Sequence, residues 1–310
     1  MIALLLLACA GEPEGPDPNA PPPAKEIAVK LALNWYPEPE FGGFYEGVLG
    51  GHYAAAGFAV EIVPGGPGAP TLELLETGKV QAAISAADDL LLKRSKGIHA
   101  VGVWPAFQLN PQGLMVHVST RIARFEDIPD GSTIAIEVGS PFQTFLWNQQ
   151  GWEGKVKAVP YGGQVGVFLA DPATIQQAYI TSEPCIARSQ GAEVTFLKAA
   201  DAGWNPYGSL LALPEPLPAW APQFVEATHR SWEAYGADPG RGNAEISRLN
   251  EQMKPELIGC ITDAQRPFVA GTDGMGSMTG ERWEAVAATL VEQKLLPPGS
   301  TAAGAWKVLR

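Results

Sequence analysis

Cysteine and clustered basic residues are scarce in this sequence of 310 residues. Its three cysteines, Cys9, Cys185 and Cys260, are too few and too scattered for a disulfide scaffold or a cysteine-based zinc site. Lys and Arg number 21 against 33 Asp and Glu, and the net charge is -12. Nucleic-acid binding needs clustered Lys and Arg, and no such cluster occurs. We therefore expect no metal site and no nucleic-acid partner.

The short motifs of common catalytic sites are also missing. The sequence contains no GxGxxG, GxxxxGK[ST], GxSxG or HExxH, and its four histidines are far apart along the chain. Lone histidines are more often structural than catalytic, although the fold can bring one of them beside a carboxylate. The sequence predicts a protein that is not an enzyme and has no cofactor.

Long hydrophobic runs are missing as well, and the longest apolar stretch stands at the start. Residues 1–8 read MIALLLLA and would span about 12 Å as a helix, far less than the ~30 Å of a bilayer core. The run ends at Cys9, and LLAC resembles the bacterial lipobox, in which signal peptidase cuts before a cysteine that is then acylated. The resemblance implies a signal segment at 1–8 and lipidation of Cys9; the alternative is an ordinary apolar N-terminus.

Residues 9–25 contain six prolines and no large apolar side chain, so they cannot bury a face and are predicted to be an extended tether. A lipid anchor on Cys9 would hold the protein on a membrane surface only through its acyl chains. This order of anchor, tether and folded body predicts a periplasmic or cell-surface protein of a bacterium.

The remaining sequence alternates short β-rich runs with helical windows, a pattern typical of an α/β fold with largely parallel sheets. A break near residue 120 separates two such sets, and helical windows follow residue 214. We predict two lobes with a ligand cleft between them, joined by a hinge of two chain segments near residues 113–118 and 208–213. Lobe 1 would comprise residues 26–117 and 211–310, and lobe 2 residues 118–210.

Ligands of open α/β sheets bind beyond the carboxyl ends of the strands, and the loops at those points are rich in aromatic and acidic residues. Ser140 is also the expected N-cap of a helix with Pro141 at its first position and Gln143 completing a capping box. The candidate ligand-binding residues are Trp35, Tyr36, Glu38, Glu40, Tyr45, Asp88, Trp104, Ser140, Phe142, Tyr179, Glu183 and Tyr207.

Each candidate also has a simpler interpretation. Trp35 and Tyr36 are as compatible with core packing, Asp88 with a helix N-cap, and Glu183 with the end of a strand. The functional interpretation rests on one observation, that loops with both aromatic and acidic residues follow strand ends in both lobes. Acceptors dominate these loops and they contain no Lys or Arg, which favours a flat neutral or cationic ring with N–H or O–H donors over a bare anion.

Several segments together resemble the solute-binding proteins of ABC importers, in the branch related to thiamine-pyrimidine synthesis and uptake (NMT1/THI5-like and SsuA-like). These segments are NWYPEPEFGGFY (34–45), AISAADDLL (83–91), QAYITSEP (177–184) and GMGSMTGERWEAVAATLVEQKLL (274–296). The first is closest to binders of riboflavin or thiamine precursors. The likeness covers residues 27–296 and implies a type II periplasmic-binding-protein-like fold.

The sequence departs from this branch at Phe41, where many relatives carry a histidine. The family also contains a pyrimidine synthase with a cysteine-rich motif, and the isolated Cys185 and Cys260 disfavour that activity. Whether these two cysteines pair is left open, because we expect them in different lobes or far apart, and a bond between the lobes would hamper the hinge.

The resemblance and the loop chemistry together imply an extracytoplasmic lipoprotein that binds a small aromatic heterocycle, such as a thiamine pyrimidine precursor or riboflavin. It would act as a monomer and deliver the ligand to an ABC permease in the membrane. The alternatives are an enzyme of pyrimidine synthesis and a binder of sulfonates such as taurine.

Overall fold

The structure, a computed structural model, describes residues 26–310, and these form two α/β lobes, each built on a five-stranded sheet. The strands are β1 (Ile27–Ala32), β2 (Phe58–Val63), β3 (Ala82–Ser85), β4 (Ala100–Phe107), β5 (Gln112–His117), β6 (Thr133–Ile136), β7 (Lys157–Pro160), β8 (Ile175–Tyr179), β9 (Val194–Lys198) and β10 (Gly208–Pro214). The α-helices are α1 (Gly42–Leu49), α2 (His52–Ala55), α3 (Thr71–Glu76), α4 (Ala87–Arg94), α5 (Pro141–Gln150), α6 (Gly166–Ala170), α7 (Glu183–Ser189), α8 (Ala221–Ala237), α9 (Gly240–Leu249), α10 (Pro255–Ala270) and α11 (Gly280–Glu292).

The sheet of the first lobe has the strand order β2-β1-β3-β10-β4. β1 pairs in parallel with β2 and β3, whereas β10 is antiparallel to both β3 and β4. All eight residues of β4 are buried, as expected for a strand covered by helices on both faces. β10 is the reversed strand because it enters this sheet on the way back from the second lobe.

The sheet of the second lobe has the order β7-β6-β8-β5-β9 and repeats this arrangement. β6 is parallel to β7 and β8, and β5 is antiparallel to β8 and β9. The two-lobed α/β fold predicted from the sequence is therefore confirmed, with one reversed strand, the fourth of five, in each otherwise parallel sheet.

The chain crosses between the sheets earlier in sequence than predicted. The sequence analysis places residues 112–117 in lobe 1, but β5 hydrogen-bonds within the second sheet. The crossings are residues 108–111, which join β4 to β5, and residues 199–207, which join β9 to β10. The second crossing ends there because β10 already belongs to the first sheet from Gly208. Hydrophobic alternation identifies these strands but carries no information about which sheet they join.

Hydrogen bonds tie the two crossings together. The Asn110 amide donates to Asn205 Oδ1 over 3.0 Å, and Arg282 of α11 donates to the same oxygen over 2.9 Å. Arg282 also donates to the Asn205 carbonyl oxygen over 2.8 Å. The predicted hinge is therefore a compact, hydrogen-bonded junction.

The first-strand loop leads into α1, which packs unusually close to α8. A Cβ atom at Gly42 would lie 2.0 Å from the Tyr235 ring, and one at Gly43 would lie 2.2 Å from the Trp232 ring. Because no other side chain fits these spaces, the two glycines let α1 approach the aromatic face of α8 and fix the position of the loop before it.

A disulfide bond joins Cys185 of α7 to Cys260 of α10, with Cα atoms 6.1 Å apart. α7 packs on β8 and β9 of the second lobe, and α10 packs on β4 and α9 of the first. The two cysteines do lie in different lobes, as expected, and they are nevertheless close enough to bond. The sequence analysis did not identify α10, which brings Cys260 across to α7.

Two predictions fall outside the described residues: the signal segment ending at Cys9 and the proline-rich tether. Within residues 26–310, no helix has the length and apolar character needed to cross a membrane.

Candidate functional site

A cavity of about 530 Å³ lies between the two lobes, at the carboxyl ends of strands from both sheets. This volume is in the range typical of small-molecule sites. Eight of the candidate residues line it, four from each lobe: Trp35, Glu38, Glu40 and Asp88 from the first, and Ser140, Phe142, Tyr179 and Glu183 from the second. The structure therefore brings together residues that are up to about half the chain apart in sequence.

Two aromatic rings face each other across the cavity. Trp35 follows β1 and Tyr161 follows β7, and their ring planes are within 10° of parallel with centroids 6.2 Å apart. The edge of the Tyr36 ring supports Trp35, with centroids 5.5 Å apart. At Gly163 a Cβ atom would lie 2.9 Å from the Trp35 ring, so the second lobe closely approaches this ring. A flat ring that enters between them needs ring planes about 7 Å apart, two van der Waals contacts of ~3.5 Å each, so the lobes would part by at least about 1 Å beyond this arrangement to admit it.

Glu38 and Glu183 form an acidic pair that crosses the lobes. Ser182 donates from Oγ to Glu38 Oε2 over 2.7 Å, a direct hydrogen bond between the lobes. Glu183 accepts from the Tyr179 amide over 2.8 Å and from the Tyr161 hydroxyl. Burial and the nearby Glu183 carboxylate raise the pKa of Glu38 to about 8, and burial also raises the pKa of Glu183.

Glu40 and Tyr179 continue this acidic wall towards the centre of the cavity. Glu40 is 9% exposed, and burial together with the carboxylates of Glu38 and Glu183 raises its pKa well above the usual value. Burial and the surrounding carboxylates likewise hold the pKa of Tyr179 well above its ordinary value. Protonated carboxyl groups both donate and accept hydrogen bonds, so this wall can recognise polar edges of a ring without a paired cation.

Asp88 lies in the first turn of α4 on the first-lobe wall and is 8% exposed. Ala86, not Asp88, is the N-cap of this helix. Burial and the neighbouring Asp89 raise the pKa of Asp88 to about 7. Within the described residues, Asp88 Oδ1 and Asn34 Oδ1 are buried cavity-lining acceptors without a hydrogen-bond partner. Such atoms are costly unless a donor meets them, so they are suited to N–H or O–H groups of a ligand.

The second lobe contributes the start of α5, as the sequence predicts. Ser140 is the N-cap, and its Oγ accepts from the Gln143 amide over 3.2 Å. The Gln143 side chain accepts from the Gly139 amide over 2.6 Å instead of from the Ser140 amide. Phe142 is 1% exposed and contacts the cavity from the first turn of the helix.

Four candidate residues do not line the cavity. Tyr36 lies behind Trp35 and is 38% exposed, so it supports the cavity wall from outside. Tyr45 is buried beside Glu245 and Arg248 of α9, because the helical turn of α1 directs its ring away from the cleft. Trp104 is a core residue of β4, packed against Phe44 and Trp232.

Tyr207, the fourth of these residues, belongs to the hinge. Its hydroxyl accepts from the Thr279 amide over 2.9 Å, and the Arg282 guanidinium lies 3.8 Å from the centre of its ring. The residue is 2% exposed, so its contacts are structural. A position at the lobe junction, which the sequence predicts, does not by itself place a side chain in the cleft.

The sequence analysis missed several cavity residues. Tyr161 directly follows β7. An aromatic residue immediately after a strand was the signal in the sequence that could have identified it as a cavity residue. The candidate loops contain no Lys or Arg, but α4 brings Lys93 to the cavity lining, and Lys96, two residues after the end of this helix, lines it as well. Lys93 is paired there with Glu73, so its charge is already compensated. The other missed polar residues include Asn34, Asn110, Gln112, Glu137, Gln177 and Ser182.

Among the residues that the structure describes, neither histidines nor free thiols contribute to the cavity. All four histidines lie within residues 26–310 and none of them lines the cleft, while Cys185 and Cys260 are joined in the disulfide. Among the described residues, no group of three or more His, Cys, Asp and Glu is arranged to hold a metal ion.

A family model described as NMT1/THI5 like matches residues 38–241, more than half of the chain. The chain belongs to the NMT1/THI5-like family. The resemblance inferred from the sequence motifs is thereby confirmed, and the matched range begins at Glu38, within the first-strand loop.

Two curated relatives of this NMT1/THI5-like chain are named as binding proteins. The riboflavin-binding protein RibY of Chloroflexus aurantiacus is 26% identical, with 91% of this chain and 88% of the relative covered. The formylaminopyrimidine-binding protein of Halalkalibacterium halodurans is 24% identical over 60% of this chain, and the match spans 58% of that relative's length.

Solved structures share the two-lobed fold. The alkanesulfonate-binding protein SsuA from Xanthomonas axonopodis pv. citri, bound to MOPS, superposes with a TM-score of 0.67 at 12% identity. The match covers 92% of this chain and 99% of that chain. At this identity the likeness establishes the fold of the NMT1/THI5-like chain as that of a periplasmic binding protein.

Proposed function

We propose that this protein is the extracytoplasmic substrate-binding component of an ABC importer, and that it binds a small aromatic heterocycle of the riboflavin or aminopyrimidine type between its lobes. The observation that carries this proposal is the parallel pair of Trp35 and Tyr161, one ring from each lobe, inside a cavity of about 530 Å³. A ring that enters between them, with the lobes parted by about 1 Å more than here, contacts both lobes at once, so its binding favours arrangements close to this one over widely open ones.

The acceptor groups of the cavity support a ligand that carries several donors. Asp88 Oδ1 and Asn34 Oδ1 are unpartnered on the first-lobe wall, and Glu38, Glu40 and Glu183 surround the aromatic pair. Ring N–H groups, exocyclic amines and ribityl hydroxyls supply such donors. An analogue without them would leave buried acceptors unpaired, which gives the site its specificity.

The same groups argue against a sulfonate as the ligand, although SsuA shares the fold. An anion needs donors or a cation inside the site, whereas Lys93 is paired with Glu73, Lys96 is exposed to solvent, and the inner walls carry carboxylates. The enzyme alternative lacks support as well, since none of the four histidines of the chain lines the cavity and both curated relatives are named as binding proteins.

An extracytoplasmic location is the second part of the proposal. The disulfide between Cys185 and Cys260 is of the kind that persists in oxidising compartments such as the periplasm. The lipobox-like sequence before Cys9 and the proline-rich stretch that follows it support a lipid-anchored monomer that delivers its ligand to a membrane permease.

A fluorescence titration tests the ligand class. The intrinsic tryptophan fluorescence of the purified protein is followed during addition of riboflavin, formylaminopyrimidine, hydroxymethylpyrimidine or taurine. We expect saturable quenching by a ring compound at micromolar concentration, because Trp35 is in direct contact with the ligand. Saturable binding of taurine alone would contradict the proposal.

A further inference from the structure

The disulfide between Cys185 and Cys260 is a third connection between the lobes, in addition to the two chain crossings at residues 108–111 and 199–207. Two neighbouring crossings alone allow the lobes to open about the hinge in more than one direction. A covalent link elsewhere removes this freedom, because the Cα atoms of bonded cysteines stay within about 4.4–6.8 Å. The lobes can then rotate relative to each other only about an axis that passes through the hinge and the disulfide.

The disulfide is also directly connected to the ligand cavity. Cys185 lies two residues after Glu183, whose carboxyl group lines the cavity from the start of α7. On the other side, α10 carries Gln265, whose Nε2 donates to the Pro39 carbonyl oxygen over 3.0 Å. The bond therefore fastens the helix of Glu183 to the helix that supports the loop of Glu38.

The two cysteines differ in accessibility. Cys185 is 4% exposed and packs among apolar residues of the first-lobe core, whereas Cys260 is exposed on the surface of α10. A reductant from solution can therefore approach the bond from the side of Cys260 without prior unfolding.

We propose that the Cys185–Cys260 bond is a redox-sensitive tether that restricts opening of the cleft, and that a dithiol reductant releases it. The thiolate of the reductant attacks Cys260 Sγ, the S–S bond breaks, and Cys185 leaves as a thiolate that takes up a proton. The second thiol of the reductant then resolves the mixed disulfide. The protein disulfide is reduced to two thiols, and the dithiol is oxidised to its own disulfide.

The consequence is a difference in lobe opening between the two redox forms. In the oxidised form the wall of Glu38, Ser182 and Glu183 stays assembled, so the cleft is held close to its ligand-binding arrangement. Reduction adds open conformations to the ensemble. If the proposed function is correct, release of the ligand then becomes faster, on the order of tenfold, a coupling of the usual size between two sites.

The decisive experiment measures the shape of the protein without ligand. Small-angle X-ray scattering is recorded for the oxidised protein, for the same protein reduced under native conditions, and for the double variant C185S/C260S. Peptide mapping under non-reducing conditions verifies the redox state of each sample. We expect a larger radius of gyration in the reduced protein and in the double variant than in the oxidised protein.

Two controls separate opening of the lobes from loss of structure. Circular dichroism checks that the reduced protein stays folded, and the double variant treated with the same reductant shows whether the reductant acts elsewhere. Hydrogen exchange is expected to rise on the order of tenfold in residues 34–40 and 177–182, which line the cleft from the two lobes and lie outside α7 and α10.

Identical scattering of the oxidised and reduced proteins would overturn the inference. So would faster exchange confined to α7 and α10 with unchanged scattering, because this outcome describes local loosening only. None of these measurements involves a ligand, so they stand apart from the test of the proposed function. Only a riboflavin titration of the oxidised and reduced forms depends on the proposed function.

Discussion

The indole of Trp35 is the single side chain on which the proposed ligand grip depends most. It projects from the loop after β1, is supported by Tyr36 from outside, and faces Tyr161 of the other lobe. A flat ligand between the two rings would bury both of its faces, which contributes through apolar area and through stacking geometry.

Replacement of this ring gives the first prediction. We expect Trp35→Ala to weaken binding of the ring compound by at least about 1 kcal/mol, or roughly fivefold, which is the scale of aromatic stacking. Isothermal titration calorimetry measures the effect. The matched control is Trp306→Ala, because Trp306 also stacks on an aromatic ring, Trp283, with centroids 6.2 Å apart, and does not line the cavity. Equal affinities of the wild type and Trp35→Ala would remove Trp35 from the site.

The buried carboxyl group of Glu38 gives a second prediction, on pH dependence. The pKa of Glu38 is about 8 in the folded protein and near 4.5 ordinarily, because it is buried and lies close to the carboxylate of Glu183. The folded state therefore keeps a proton that the unfolded state loses. The stability from this group is complete below about pH 4.5 and is lost as the pH rises towards 8.

Calorimetric melting temperatures at about pH 5 and about pH 8 test this statement. We expect the melting temperature to fall less over this range in Glu38→Gln than in the wild type, because glutamine does not titrate. Glu251→Gln, an exposed site, serves as the control and should keep the wild-type dependence. A Glu38→Gln variant with the same pH dependence as the wild type would show that Glu38 is not protonated in the folded state.

The sequence could predict many cavity residues because they directly follow strands. Trp35, Glu38 and Asp88 come after β1 and β3, and strand ends on the same edge of a sheet must meet. Trp104 was misplaced because it lies within the fully buried β4, where an aromatic residue belongs to the core. Tyr45 was misplaced because the rotation of α1 directs its ring away from the cleft and towards α9, which loop composition does not show.

At the scale of elements, the packing of α1 on α8 fixes the first-strand loop. The third prediction is that Gly43→Ala lowers the free energy of unfolding by about 1–3 kcal/mol, since its Cβ would lie 2.2 Å from the Trp232 ring. The control Gly236→Ala lies in α8 with open space around the added Cβ and should raise the stability by about 0.5–1 kcal/mol. Urea unfolding followed by circular dichroism measures both variants; equal effects of the two substitutions would contradict the packing argument.

Element boundaries were predictable where local signals are strong. Ser140 was expected as an N-cap, and its side chain accepts the backbone hydrogen bond expected of a cap, from Gln143. α10 was not recognised, although Pro255 stands at its first position as is common for helices. The sheet that β5 joins was not predictable either, because sheet membership depends on contacts between segments that are distant in sequence.

At the scale of the whole molecule, function depends on how the lobes are connected. The two crossings form a hydrogen-bonded hinge, and the cavity, the bond from Ser182 to Glu38 and the disulfide all lie between the lobes. A ligand that contacts both walls shifts the population towards this closed arrangement, and the proposed permease partner would distinguish the closed from the open protein by its shape.

The crystal structure of the complex with the ring compound that quenches tryptophan fluorescence most effectively tests the central claim most directly. The account predicts the ring between Trp35 and Tyr161, with a donor group of the ligand within hydrogen-bond distance of Asp88 Oδ1. A ligand bound outside the cleft, or within it but in contact with one lobe alone, would contradict the account.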